Sequence, residues 1–162
     1  TPREGECHGV HYFFMTKEEF EEQIANGQML EHAEYCGKYY GTPSSQIMDW
    51  IEEGRDVVLE IEVQGARQIK EKRPDCVSIF VLPPSLEELE KRLRYRNTED
   101  EETIQKRLAV ARQEMETARD YDYVIVNDTI EHTVEQINKI IAAEKLKVSR
   151  AKSNIERVLN ND

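Results

Sequence analysis

Three apolar runs, too continuous to lie half-exposed, set the limits on how this chain can fold. Val57-Val58-Leu59, Val77 to Leu82 and Tyr123 to Val126 each read as a strand covered on both faces, the pattern of a parallel sheet flanked by helices. Helical spacing separates them. Gln64 to Lys72 reads as a short helix after the first run; Leu86, Leu89 and Leu93 share one helical face after the second; Ile130 onward is helical again. Strand and helix in alternation predict an α/β fold. Three strands fall short of the roughly five of a doubly wound sheet, so the remaining strands are expected before Thr1.

The first fifty residues follow a different grammar. Val10 to Phe14 is rich in β-formers, and Thr16-Lys17-Glu18-Glu19 is a capping box that should open a helix ending near Gly27, with Thr16 as N-cap. Met29 to Tyr35 alternates as a half-buried strand does, Gly37 turns it, and Tyr39-Tyr40 is expected to pair back antiparallel. Ile47, Trp50 and Ile51 then repeat at helical spacing up to Gly54. Further on, Ser85-Leu86-Glu87-Glu88 is a second capping box, a long helix is expected to reach about Arg119, and the charged stretch from Lys145 to Asp162 reads as a solvated helix.

Charge narrows the function classes. Lysine and arginine number 22 against 33 acidic residues, a formal net charge of -11, which argues against a general nucleic-acid or membrane-surface binder. No apolar run approaches the roughly 20 residues of a membrane span, and a cytoplasmic location is expected. Cys7, Cys36 and Cys76 have no metal or redox spacing and read as reduced thiols. The first residue is Thr1, from which a processed or truncated start is expected.

Six strings, in order, resemble the guanylate kinase family: Thr-Pro-Arg-Glu-Gly-Glu at 1 to 6, His-Tyr-Phe-Phe at 11 to 14, Gly-Lys-Tyr-Tyr-Gly-Thr-Pro at 37 to 43, Leu-Glu-Ile-Glu-Val-Gln-Gly-Ala at 59 to 66, Leu-Pro-Pro-Ser-Leu-Glu-Glu-Leu at 82 to 89, and Tyr-Asp-Tyr-Val-Ile-Val-Asn-Asp at 121 to 128. The resemblance runs from Thr1 to about Leu146. It implies a P-loop-NTPase-like parallel sheet with a β-rich GMP-binding subdomain at 1–44, core at 45–84 and 108–146, a helical lid at 85–107 and a tail at 147–162. It implies ATP and GMP as substrates, Mg²⁺ with the ATP, and no nucleic-acid or membrane partner.

The residues carry chemistry that agrees. A nucleotide phosphate suits a bidentate cation beside neutral hydroxyls; Arg3 with Tyr12 and Tyr40 match the family's phosphate clamp, with Glu6 holding Arg3. Guanine offers N1–H and a 2-amino group as donors and O6 as acceptor, so a carboxylate beside a hydroxyl distinguishes it from adenine. Glu31 and Thr42 match those positions, although taken alone Glu31 reads as an exposed strand glutamate. Glu60 and Glu62 alternate toward the end of an expected buried strand, where α/β sheets place ligands: Glu62 is expected to face the transferred phosphate and its Mg²⁺ through water, Glu60 the guanine or ribose side, with Gly65 also at the GMP site. Arg92, Arg96 and Arg107 match the family's lid and core arginines, suited to neutralising a moving phosphoryl group, and Asn127 resembles the residue beside the adenine of ATP. The chain departs from the family in having His32 where tryptophan is frequent, glutamates at 60 and 62 where aspartate is frequent, and Asn97 in place of a glycine.

No string matches Gly-x-x-x-x-Gly-Lys-Ser/Thr, the loop that holds ATP phosphates. Residues 1 to 162 alone are therefore expected to be inactive and poorly stable, with that loop upstream. Two functions stand at this point: an ATP:GMP phosphotransferase, or a catalytically inactive guanylate-kinase-like interaction module binding phosphopeptide or GMP. The arginines at 92, 96 and 107 favour the enzyme.

Overall fold

A computed structural model describes residues 2, 5–35, 37–95 and 100–160. The chain divides into two compact units, residues 1–76 and 77–162.

The first unit contains helix α1 (Lys17–Ala25), strands β1 (Met29–Tyr35) and β2 (Lys38–Pro43), and helices α2 (Ser44–Glu52) and α3 (Val63–Lys72). The capping box forms as the sequence predicts. Thr16 Oγ1 accepts from the Glu19 amide at 3.2 Å, and the Glu19 carboxylate accepts from the Thr16 amide at 2.7 Å, which satisfies two otherwise orphaned donors. Gly37, at φ 75°, lies between β1 and β2, which pair antiparallel with Glu31 opposite Thr42 and Ala33 opposite Tyr40. Met29, Glu31 and Ala33 are the buried positions of β1. Phe20 of α1 is buried and its ring lies against Gly41, where an added Cβ would come within 3.0 Å of the ring. Removing that ring from water contributes about 2 kcal/mol, and its approach leaves little room for a side chain at 41.

Two expected strands of this unit are absent. Residues 10–14 make only an isolated bridge between His8 and Tyr12, because Gly9 at φ 77° curls the backbone into turns closed by Gly9 N–H to the Tyr12 carbonyl and His11 N–H to the Cys7 carbonyl. Imidazoles fasten the loop: His8 Nδ1 accepts from the Phe14 amide and His11 Nδ1 from the Cys7 amide, each at 3.1 Å. Val57 to Leu59 likewise forms no strand, and Val58 is 77% exposed. A strand exists through its ladder, and among the described residues no strand pairs with this run.

The second unit contains β3 (Ile79–Leu82), α4 (Leu86–Tyr95), α5 (Glu101–Glu116), a 3-10 turn (Thr117–Asp120), β4 (Tyr123–Val126), α6 (Ile130–Lys145) and α7 (Lys152–Leu159). β3 and β4 pair in parallel from Ile79 opposite Tyr123 to Leu82 opposite Val126, giving the mixed α/β character the apolar runs predict. These strands are not covered on both faces, contrary to expectation. Ile125 is buried, whereas Val81, Val124 and Val126 are exposed. Ser85 Oγ accepts from the Glu88 amide at 3.0 Å and starts α4. The start of β4 is tied to the end of α6 where the Tyr123 hydroxyl donates to the buried Glu144 carboxylate at 2.6 Å; Lys147 and Arg150 pair with the same group. No helix among the described residues is long and apolar enough to cross a membrane.

Candidate functional site

The hairpin's pairing decides where its polar side chains meet. Glu31 and Thr42 face each other across the ladder, and the Thr42 hydroxyl donates to Glu31 Oε1 at 2.6 Å. Glu31 is 2% exposed, which corrects the expectation of a solvated glutamate for this residue taken alone. Its other oxygen lies on Gly65 in the first turn of α3: a Cβ built there would stand 2.1 Å from Oε2. A side chain at 65 would thus displace the carboxylate from this position, and the first turn of a helix is a favourable place for an anion. Glu62 is the N-cap of the same helix, with extended backbone and no side-chain capping bond; it is half-buried, and Glu60 is exposed. Both sit in the irregular segment before α3 rather than on the predicted strand. Tyr12 and Tyr40 approach edge to face with centroids 6.4 Å apart. Glu6 lies half-buried, and Arg3 lies outside the described residues.

Helix α3 docks through side chains that meet main-chain groups of β1. Among the described residues, the edge of β1 away from β2 presents main-chain groups with no strand to meet them. Gln68 closes a ring on His32, accepting from its N–H at 3.2 Å and donating to its carbonyl at 2.6 Å. One turn either side, Gln64 donates to the Glu34 carbonyl at 3.4 Å and Lys72 to the Leu30 carbonyl at 2.5 Å. Spacing of four residues puts 64, 68 and 72 on one helical stripe. That spacing is the only signal in the sequence, and polar residues so spaced ordinarily mark a solvent face.

The second unit brings together two other expected site residues. Arg92, on α4, donates to the Asn127 carbonyl at 3.1 Å and to the Asp128 carbonyl at 3.5 Å, and its Nε pairs with Glu88 at 2.9 Å. Asn127 follows β4 directly, its amide bonded to the Leu82 carbonyl. Beside it, Asp128 Oδ1 and Oδ2 each lie 2.9 Å from His132 Nδ1, a bond that holds the Asp128 carboxyl below its usual range. Arg107 lies half-buried on α5. Arg96 lies outside the described residues, but the helices on either side are joined: Arg94 bonds Glu90 of α4 and Glu101 of α5, which pushes the Glu101 carboxyl down to about 2.

Among the described residues no group of three acidic, histidine or cysteine side chains could hold a metal. Glu62, the residue expected to face the ion through water, is a half-buried carboxylate at the start of α3, a donor type suited to a hard ion that keeps most of its waters.

Comparison with known proteins identifies the family to which such a chain is similar. The profile of the family described as Guanylate kinase matches residues 1–144. A guanylate kinase of Clostridioides difficile is 52% identical over 154 residues, covering 95% of this chain and 75% of its own; one of Desulfitobacterium hafniense is 51% identical over 149 residues, covering 92% and 74%. The crystal structure of guanylate kinase from Anaplasma phagocytophilum superposes with a TM-score of 0.80 at 38% identity, covering 93% of this chain and 73% of that one. Matched over residues 1–144 by that family profile and about half identical to such relatives over most of its length, the chain belongs to the guanylate kinase family.

Proposed function

We propose that this protein is an ATP:GMP phosphotransferase and that Glu31 and Thr42 read guanine. The observation that carries the reading is a buried carboxylate which, among the described residues, accepts one hydrogen bond, from a hydroxyl on the facing strand. Such a group favours a ligand that brings donors of its own. Guanine brings two, N1–H and the 2-amino group. Their arrival frees the Thr42 proton to turn toward O6. Adenine presents an acceptor at N1 and would set lone pair against lone pair.

The remaining roles rest on the family resemblance. Arg3, Tyr12 and Tyr40 grip the GMP phosphate, with Glu6 on Arg3; Gly65 and Glu60 border the nucleoside. Glu62 holds Mg²⁺ through water, and the ion, bound with ATP, neutralises charge on the phosphates. Arg92 and Arg96 grip the polyphosphate of ATP and, with Arg107, steady the phosphoryl group, while Asn127 lies beside the adenine. Residues 1–44 then form the GMP-binding subdomain and 85–107 the lid, in a cytoplasmic enzyme. Holding ATP phosphates also calls for a cradle of backbone amides, a lysine and a hydroxyl, and residues 1–162 contain no string of that kind. On their own they should bind GMP without turning it over.

Titration of the chain with GMP and with AMP, followed by an assay for Mg²⁺-dependent GDP formation, tests both parts. GMP should bind far more tightly than AMP. Equal affinities would sink the guanine reading, and rapid GDP formation by residues 1–162 alone would mean the ATP phosphates are held elsewhere.

A further inference from the structure

Helix α3 reads the backbone of β1 and touches its carboxylate at the same time. Gln68 meets His32, the neighbour of Glu31, through both halves of its carboxamide, so that one side chain takes the place of a strand partner. Two bonds in a ring fix sliding and rotation together, where a single bond leaves one free. Gln68 Nε2 also donates to the Gln64 carbonyl one turn back at 3.4 Å, which limits the side chain's own freedom. Three residues before Gln68 on this helix stands Gly65, against Glu31 Oε2. The position of α3 along β1 therefore sets the wall against which the carboxylate rests.

Among the three residues of the stripe, Gln68 alone has this double hold. Gln64 makes one longer bond, and Lys72 is a flexible ammonium reaching the Leu30 and Met29 carbonyls. We infer that Gln68 is a positioning residue for guanine selectivity: it locks α3 onto the β1 backbone beside Glu31 and so keeps both carboxylate oxygens aimed for a two-point contact. This rests on the reading that Glu31 receives guanine. A two-point contact is sensitive to displacement in a way that a one-point contact is not, since a shift of about 1 Å breaks the pair before it breaks a single bond.

Inosine monophosphate separates the two cases, because its base keeps N1–H and lacks the 2-amino group. In calorimetric titrations of the 162-residue chain, Gln68→Met should weaken GMP about tenfold and inosine monophosphate by less than about threefold, so that the preference between them shrinks. A purely structural role would lower the melting temperature and the fraction of competent protein and leave that ratio alone. Gln68→Glu, which can still accept from the His32 amide but cannot donate to its carbonyl, should fall between. A third readout needs no substitution: coupling is reciprocal, so saturating GMP should slow hydrogen exchange at the His32 amide. If the native chain does not prefer GMP over inosine monophosphate, the guanine reading fails and takes this inference with it. If it does, an unchanged ratio in a folded Gln68 variant, or an unchanged His32 exchange rate, overturns the inference alone.

Discussion

In the roles proposed for them, the Glu31 site and the Arg92 site face opposite problems. Glu31 is short, buried, fixed by strand register and walled by a glycine. Arg92 is long, half-exposed, and anchored through a carboxylate one helical turn away and the carbonyls of a turn. Telling one base from another needs donors and acceptors that cannot adjust to the wrong partner. Meeting a nucleotide whose charge moves during reaction needs side chains that can follow it. The contrast predicts that damage at the first site shows as lost discrimination, and at the second as lost affinity.

The contrast is broken most directly at Glu31. Glu31→Ala should collapse a preference for GMP over AMP on the order of 10⁴ to within about tenfold, since a site built on such bonds rejects the analogue by leaving buried groups unpaired; paired titrations measure it, and a preserved preference would place base recognition elsewhere. Gly65→Ala comes next. Its methyl group would occupy the space of Glu31 Oε2, and because the carboxylate is the end of a flexible side chain the fold can yield while the site cannot. GMP affinity should fall about a hundredfold with little change in melting temperature. A large loss of stability instead would mark Gly65 as a packing residue.

At the second site, Arg92→Ala should weaken ATP about tenfold, the scale of one charge-assisted contact, and leave GMP binding to the chain untouched, as nucleotide titrations would reveal. The smallest effect concerns Glu144. Bonds from Lys147 and Tyr123 hold its carboxyl below the ordinary 4.5, so its contribution to stability is complete above that value and is lost as pH falls through the lower, folded-state value. Glu144→Gln should flatten the fall in melting temperature below about pH 4.5; an unchanged profile would assign acid sensitivity to other carboxylates.

Local signals in the chain were legible wherever the cause was local. Thr16 and Glu19 are three residues apart and cap as their chemistry dictates; Gly37 sits between two runs of alternating residues, and the hairpin forms there. Glu31 and Thr42 could be named as a pair through family resemblance, although burial of that glutamate depends on α3, more than thirty residues away. Val57 to Leu59 misled because apolar continuity reports a preference for cover, whereas a strand also requires a neighbour with which to exchange hydrogen bonds. Val10 to Phe14 is rich in β-formers yet lies in turns, because Gly9 and two imidazoles hold its backbone there. Gln68 was invisible as a docking residue for a related reason: a glutamine that meets backbone has the same spacing as one that meets water.

The stripe on α3 also bears on which substitutions the hairpin can absorb. Its grip is on amides and carbonyls that every residue except proline supplies, so the identity of the side chain at 32 is no concern of the clamp. Histidine can stand there in place of the tryptophan frequent in the family without loosening the helix from the strand. A main-chain latch of this kind leaves the residue beside Glu31 open to evolutionary drift, and forbids proline.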